Sequence, residues 1–144
     1  MTQNLQNVLR DVQLYSDDVI YRLVHLPKNA VVVAASVLAE IKEPFLVLIV
    51  DKDEVSLIVS EDDYQDYQHR LLGHRVADIH YRLITFDIPL DLSLVGFMAS
   101  ISTCLAQANI SILPFAAYER DHVLVPSQSY SLAISSLQKL LSAN

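Results

Sequence analysis

The side chains able to do chemistry are few, and most stand alone. Five histidines occur, at His25, His69, His74, His80 and His122. Zinc ligands come at set spacings on one rigid face, whereas His69, His74 and His80 cross a helix end, a glycine and a strand start. Surface and capping roles suit them better than a metal-assisted hydrolase. Cys104 is the single cysteine, which leaves no disulfide framework and no cysteine metal site. It falls mid-pattern in an apolar segment, where a small buried hydrophobe is its usual role. Gly73 and Gly96 are the only glycines, so a glycine-rich phosphate loop is out of reach. Neither a G-x-S-x-G elbow nor an HExxH helix occurs. The expectation is a protein that is not an enzyme and carries no cofactor or metal.

What remains is a site made by backbone geometry around "DLSLVGF", residues 91–97. Ser93 is placed to cap a helix over about 94–108, with Leu94, Val95, Gly96 and Phe97 in its first turn. A helix N-terminus presents unpaired N–H groups and a partial positive charge, which favour a carboxylate. Gly96 puts no Cβ in the way of a ligand approaching that backbone. If strands 79–88 and 121–125 are antiparallel neighbours, Asp121 lies beside that turn and supplies a negative charge for an ammonium or guanidinium. An anion site next to a cation site describes a zwitterion such as a free amino acid. The same residues also fit a plainer role, Gly96 permitting close helix–sheet packing and Asp121 ending a tight turn. Asp87 and Asp91, in the same loop, read as solvated turn residues.

The elements that must hold these residues repeat along the chain. "VIYRLVHLP" (19–27) predicts a strand and matches "IHYRLITFDIP" (79–89), with Tyr21-Arg22-Leu23 against Tyr81-Arg82-Leu83. A helix over 31–41, a hairpin of 45–50 and 55–60 about the acidic turn 51–54, and a helix opening at Glu61 follow the first. A helix over 94–108, strands over 110–118 and 121–125, and a helix opened by Pro126-Ser127 follow the second. Tyr64 aligns with Tyr130, and Leu57-Ile58-Val59 with Val123-Leu124-Val125. Two alignable halves mean two copies of one unit, taken as residues 1–75 and 76–144. The order fits an α+β fold of two ferredoxin-like βαββαβ units, antiparallel sheets with the helices on one face. Leu5, Val8 and Leu9 suggest a short N-terminal helix over 3–10.

Residues 92–118 carry no Asp, Glu, Lys or Arg. A membrane span needs about 20 mainly apolar residues, but this run is broken by Ser100, Ser102, Thr103, Gln107, Asn109, Ser111 and Pro114. Leu94, Met98, Ile101 and Leu105 recur at helical spacing, and "ISILPFAAY" then reads as a strand. The N-terminus lacks the apolar core and leading charge of a signal peptide, so the expected location is cytoplasmic, with no membrane partner. The chain's 144 residues carry a net charge of −7 with scattered Lys and Arg, which argues against nucleic acid, whose binding rests on phosphate neutralisation. Only 19% of residues are charged against 52% apolar. That balance fits either a surface covered by a second copy or partner, or one generous core.

The stretch from Leu92 to Leu140 resembles the ACT domain, in the subgroup related to aspartokinase regulatory domains and the cytosolic arginine sensors. It carries that subgroup's S-x-x-G at Ser93–Gly96, LA-x-A-x-I-S-I at Leu105–Ile112 and D-x-x-LV at Asp121–Val125. "YRLVHLP" and "FLVLIVDKDEVSLIVSEDD" resemble a degenerate leading repeat without an S-x-x-G. The resemblance implies a tandem, homodimeric, regulatory module that binds an amino acid where two units meet. It implies contacts from Ser93, Leu94, Val95, Gly96 and Phe97, with Asp121 as polar anchor and Ser60 and Glu61 contributing across the interface. With no catalytic domain attached, any regulated protein is a separate chain, and a ligand-free oligomerisation or protein-interaction module is the alternative.

Overall fold

The computed structural model describes residues 3–42 and 45–144. In chain order the elements are α1 (Leu5–Asp11), β1 (Gln13–Tyr15), β2 (Tyr21–Pro27), α2 (Val31–Glu40), β3 (Val47–Val50) and β4 (Glu54–Ser60). They continue with α3 (Glu61–Tyr67), β5 (Arg75–Asp87), α4 (Phe97–Gln107), β6 (Leu113–Ala116), β7 (Asp121–Pro126) and α5 (Tyr130–Ser142). Packing gathers them into two compact units, one of residues Val19–Tyr81 and one of residues up to Asp18 together with Arg82–Asn144. Antiparallel pairing and helices on one face make this the α+β, ferredoxin-like arrangement that the sequence predicts.

In the unit 19–81 the strand order is β3-β4-β2-β5. The acidic run 51–54 is a turn because Asp51 caps it: its carboxylate accepts the N–H groups of Asp53 and Glu54 at 2.8 and 2.9 Å. Helix α3 starts where expected, since Ser60 Oγ accepts the Asp63 N–H at 3.0 Å and Glu61, Asp62 and Asp63 fill the first turn. Period-2 alternation sends Val24, Leu26, Val55, Leu57 and Val59 to one face, where they bury Ala34 and Val37 of α2 and Tyr64 of α3.

The other unit has the strand order β1-β5-β7-β6. It repeats the topology with one difference: its fourth strand comes from the start of the chain. β1 runs antiparallel to the end of β5, from Gln13 opposite Asp87 to Tyr15 opposite Thr85. Ile84, Phe86, Val123 and Val125 of the sheet bury Phe97, Ile101 and Leu105 of α4 and Ala133 and Leu137 of α5. The predicted N-terminal helix is α1, and it adds Val8 and Leu9 to this core. β5 is longer than the predicted 79–88 because it serves both units, Arg75–Tyr81 completing the first and Arg82–Asp87 opening the second. β6 is shorter than the predicted 110–118. Asn109 takes a left-handed φ of 58° to end α4, and a turn closed by the Ala117 N–H on the Arg120 carbonyl begins just after Ala116. The long uncharged run is thus α4 followed by β6, and no helix among the described residues is long and apolar enough to cross a membrane.

Candidate functional site

The loop between β5 and α4 differs from its expected form. Helix α4 begins at Phe97, and its N-cap is Gly96 rather than Ser93. Ser93 is exposed in a turn that the Leu94 N–H closes on the Asp91 carbonyl at 3.0 Å. Leu94, Val95 and Gly96 therefore precede the helix instead of forming its first turn. The reason is backbone conformation: Gly96 has φ +95°, and a Cβ there would stand 3.1 Å from Leu5 Cδ2. With glycine as cap there is no capping side chain for the first-turn N–H groups, and no acidic residue lies in that turn. The opening N–H groups of α4 are left without intrahelical partners.

Two contacts hold the loop that the sequence does not advertise. Gln3 straps it, with Oε1 accepting the Asp91 N–H at 2.6 Å, Nε2 donating to the Pro89 carbonyl at 2.7 Å, and its own N–H reaching the Asp91 carboxylate at 3.0 Å. The Leu90 N–H donates to the Glu119 carbonyl at 2.6 Å, tying the loop to the β6–β7 turn. Between loop, helix start and turn lies a cleft of about 260 Å³ whose walls include Asp91, Leu94, Gly96, Phe97, Tyr118, Glu119 and Asp121. Of the residues singled out in the sequence, Leu94, Gly96, Phe97 and Asp121 thus meet at one cleft. Ser93 and Val95 do not line it. Ser60 and Glu61 belong to the unit 19–81, where Ser60 caps α3 and Glu61 accepts from Arg22 at 2.6 Å.

The acids around the cleft are unequal. Arg120 donates to Asp87 at 2.9 Å and to Glu119 at 3.1 Å, and Asp91 has the Gln3 N–H. The Asp121 carboxylate accepts no hydrogen bond from a described residue. Burial pushes its pKa up, with His122 opposing. Burial likewise pushes His122 down, partly offset by Asp121 and reinforced by Arg120. The His122 ring is hydrogen-bonded through Nδ1 to Thr85 Oγ1 at 2.8 Å. An acid held half-buried without a donor favours a cation delivered into the cleft, whose walls also include the helix start where N–H groups favour an anion. Two apolar residues of its walls, Leu92 and Tyr118, are 80% and 82% exposed, as is the neighbouring Val95 at 83%. Elsewhere, His74 bonds Tyr64 Oη at 3.0 Å and the Leu71 carbonyl at 2.7 Å, a structural role. No group of three metal-ligating side chains occurs among the described residues.

No curated protein sequence matches the chain. Solved structures match its fold at low identity. A protein of unknown function from Vibrio cholerae, described as a possible transport protein, is 20% identical with a TM-score of 0.74, covering 95% of each chain. A chain of the aspartokinase alpha and beta subunit structure is 20% identical with a TM-score of 0.70, covering 91% of this chain and 99% of that one. The ligand-free regulatory subunit of aspartate kinase from Thermus thermophilus is 17% identical with a TM-score of 0.66, covering 90% and 97%. Residues 76–139, which hold all of β5 but its first residue, the cleft and most of α5, match the family model of the ACT domain.

Proposed function

We propose that the chain is a non-enzymatic regulatory module that binds a free amino acid in the cleft between the loop 88–96 and the β6–β7 turn. The observation that carries this reading is Asp121, an acid without a hydrogen-bond donor beside the uncapped start of α4. The ligand carboxylate meets the backbone N–H groups at Gly96 and Phe97, and its ammonium or a basic side chain meets Asp121. All charged side chains that line the cleft, Asp91, Glu119 and Asp121, are acidic, so arginine and lysine head the candidates. The match to the ACT model and the fold shared with aspartate kinase regulatory subunits support a regulatory role. The halves 1–75 and 76–144 then act as a tandem pair in a cytoplasmic homodimer, with Ser93 and Val95 near the ligand's mouth, Ser60 and Glu61 contributed across an interface, and a separate protein as the regulated target.

A carboxylate at a helix terminus contributes only about 0.3–2 kcal/mol, while sensing at micromolar to millimolar levels needs about −8 to −4 kcal/mol. Asp121 and side-chain burial supply the rest. A thermal-shift screen of the twenty amino acids tests the reading. A ligand at about 100 times its dissociation constant stabilises the fold by roughly 2.7 kcal/mol, and Asp121→Ala removes that shift. A ligand that stabilises both forms equally, or no ligand at all, overturns it. The second reading, a ligand-free assembly module, draws on the exposed Leu92, Val95 and Tyr118. It expects a dimer in sedimentation experiments that Tyr118→Ser dissociates whether or not amino acids are present.

A further inference from the structure

The unit 19–81 carries a second cleft, remote in chemistry from the first. It measures about 350 Å³ and is lined by Leu23, His25, Glu54, Ser56, Arg75 and Ala77, with Val24 and Val76 at its base. Pairing explains the convergence. His25 stands opposite Ser56 on β4 and opposite Arg75 on β5, so the three share one sheet face at neighbouring-strand spacing. Glu54 sits one diagonal away, its carboxylate 3.8 Å from His25 Nε2, which is beyond hydrogen-bond distance. The β2–β5 register slips between Arg22 and Val24, so the bulged stretch of β5 about Ala77 lies against Leu23. Bulges occur next to binding sites because they re-aim side chains and open a sheet surface.

Apart from the long His25–Glu54 ion pair, the polar side chains here are uncommitted. Every other arginine of the chain has an acidic partner: Arg10 has Asp11, Arg22 has Glu61, Arg70 has Glu40, Arg82 has Asp18, and Arg120 has Asp87. The Arg75 side chain alone among the arginines makes no ion pair or hydrogen bond with a described residue, in a chain whose net charge is −7. His25 Nδ1 is buried without a hydrogen-bond partner among the described residues, and such an atom in a folded protein calls for an explanation. The Ser56 hydroxyl also has no hydrogen bond among the described residues.

The geometry points to a second ligand site that takes a small aliphatic carboxylic acid bearing a hydrogen-bond donor on its α-carbon. Arg75 offers the planar fork that a carboxylate fits, and Ser56 adds a hydroxyl donor. Glu54 accepts from an α-hydroxyl or α-ammonium group set beside it in the cleft. Leu23 and Ala77 cover the short aliphatic chain. The charge pattern, a free guanidinium with one acid nearby, is the reverse of the all-acidic cleft at Asp121, so the two sites select different ligands.

Amide NMR spectra of the whole chain, titrated to millimolar levels with isovalerate, 2-hydroxyisovalerate and L-valine, test the site. Saturable shifts are expected at the amides of 23–26, 54–57 and 75–77, with an affinity at least about tenfold weaker in Arg75→Ala. Arg75 is exposed at the start of its strand, so the variant folds, and an otherwise superimposable spectrum verifies this. Glu54→Gln weakens the hydroxy and amino acids while leaving isovalerate unchanged, and the relative affinities of those two acids tell which donor the site prefers. Absence of shifts with all three probes overturns the proposal, as does equal binding by Arg75→Ala. Shifts confined to 90–99 and 116–121 also overturn it, and bear instead on the cleft at Asp121.

Discussion

Arg82 lies over the ring of Tyr130, its guanidinium carbon 3.9 Å from the ring centroid. Arg22 stands in the same relation to Tyr64 in the other unit, at 5.2 Å. Both arginines sit second in a Tyr-Arg-Leu triplet on a unit's first strand, and both tyrosines lie in its second helix. Each guanidinium also donates to a carbonyl, Arg22 to Ala77 at 3.1 Å and Arg82 to Asp17 at 2.6 Å. The two units therefore share a physical device, a cation stacked on a tyrosine, where β2 meets α3 in one and β5 meets α5 in the other.

Loss of the ring in Tyr130→Leu is expected to cost about 1–2 kcal/mol in urea denaturation, the range of a partly desolvated cation–π contact. Tyr130→Phe keeps the ring and should cost under about 0.5 kcal/mol. Equal costs for both substitutions would place the contribution in the hydroxyl rather than in the stack.

Two acids give opposite pH dependences. The Glu61 carboxyl is held below its ordinary pKa, chiefly by the Arg22 hydrogen bond, against burial. Its stabilisation is present above the unfolded pKa and lost as pH falls through the folded one. Asp121 is raised by burial, so its contribution is fullest below the unfolded pKa and is lost as pH rises through the folded one. Glu61→Gln should therefore lower the melting temperature at neutral pH and converge with the parent in acid. Asp121→Asn should raise it at neutral pH and likewise converge in acid. A pH series of melts checks both signs.

Gly96→Ala forces a Cβ into φ +95° and to within 3.1 Å of Leu5 Cδ2. The left-handed conformation alone costs about 1–2 kcal/mol. Adding Leu5→Ala should recover only the contact share of the loss, leaving the backbone share in a double-mutant cycle. Complete recovery would mean that the contact, not the dihedral, is the reason for glycine.

Much of this fold is legible locally. Asp51 and Ser60 mark their turn and cap by residue type alone, and the aligned Tyr-Arg-Leu triplets expose the repeat. The start of α4 is misread because Ser93 before an apolar run looks like a cap, whereas the left-handed Gly96 moves the helix three residues on. Gln3 and β1 carry no local signal. A polar residue and a three-residue strand acquire meaning only from partners at Pro89, Asp91 and Thr85, far along the chain. The cleft was legible in its convergence of Gly96 with Asp121, which strand pairing dictates, but not in the tie between Leu90 and Glu119.

The placement of β1 bears on the order in which the chain folds during synthesis. The unit 19–81 is contiguous, and all its strands are made once Tyr81 has emerged. The unit around α4 and α5 is begun first and finished last: Tyr15 must wait for Thr85. Loop-closure entropy grows only slowly, by about 0.6 kcal/mol for each doubling of length. Prior folding of the insert shortens the effective loop, because Tyr21 pairs with Tyr81 and so the insert begins and ends on neighbouring strands. Folding of the inserted unit is thus expected to speed that of its host, and a lesion in the insert's core to delay the unit around α4 and α5 without touching a single residue of that unit.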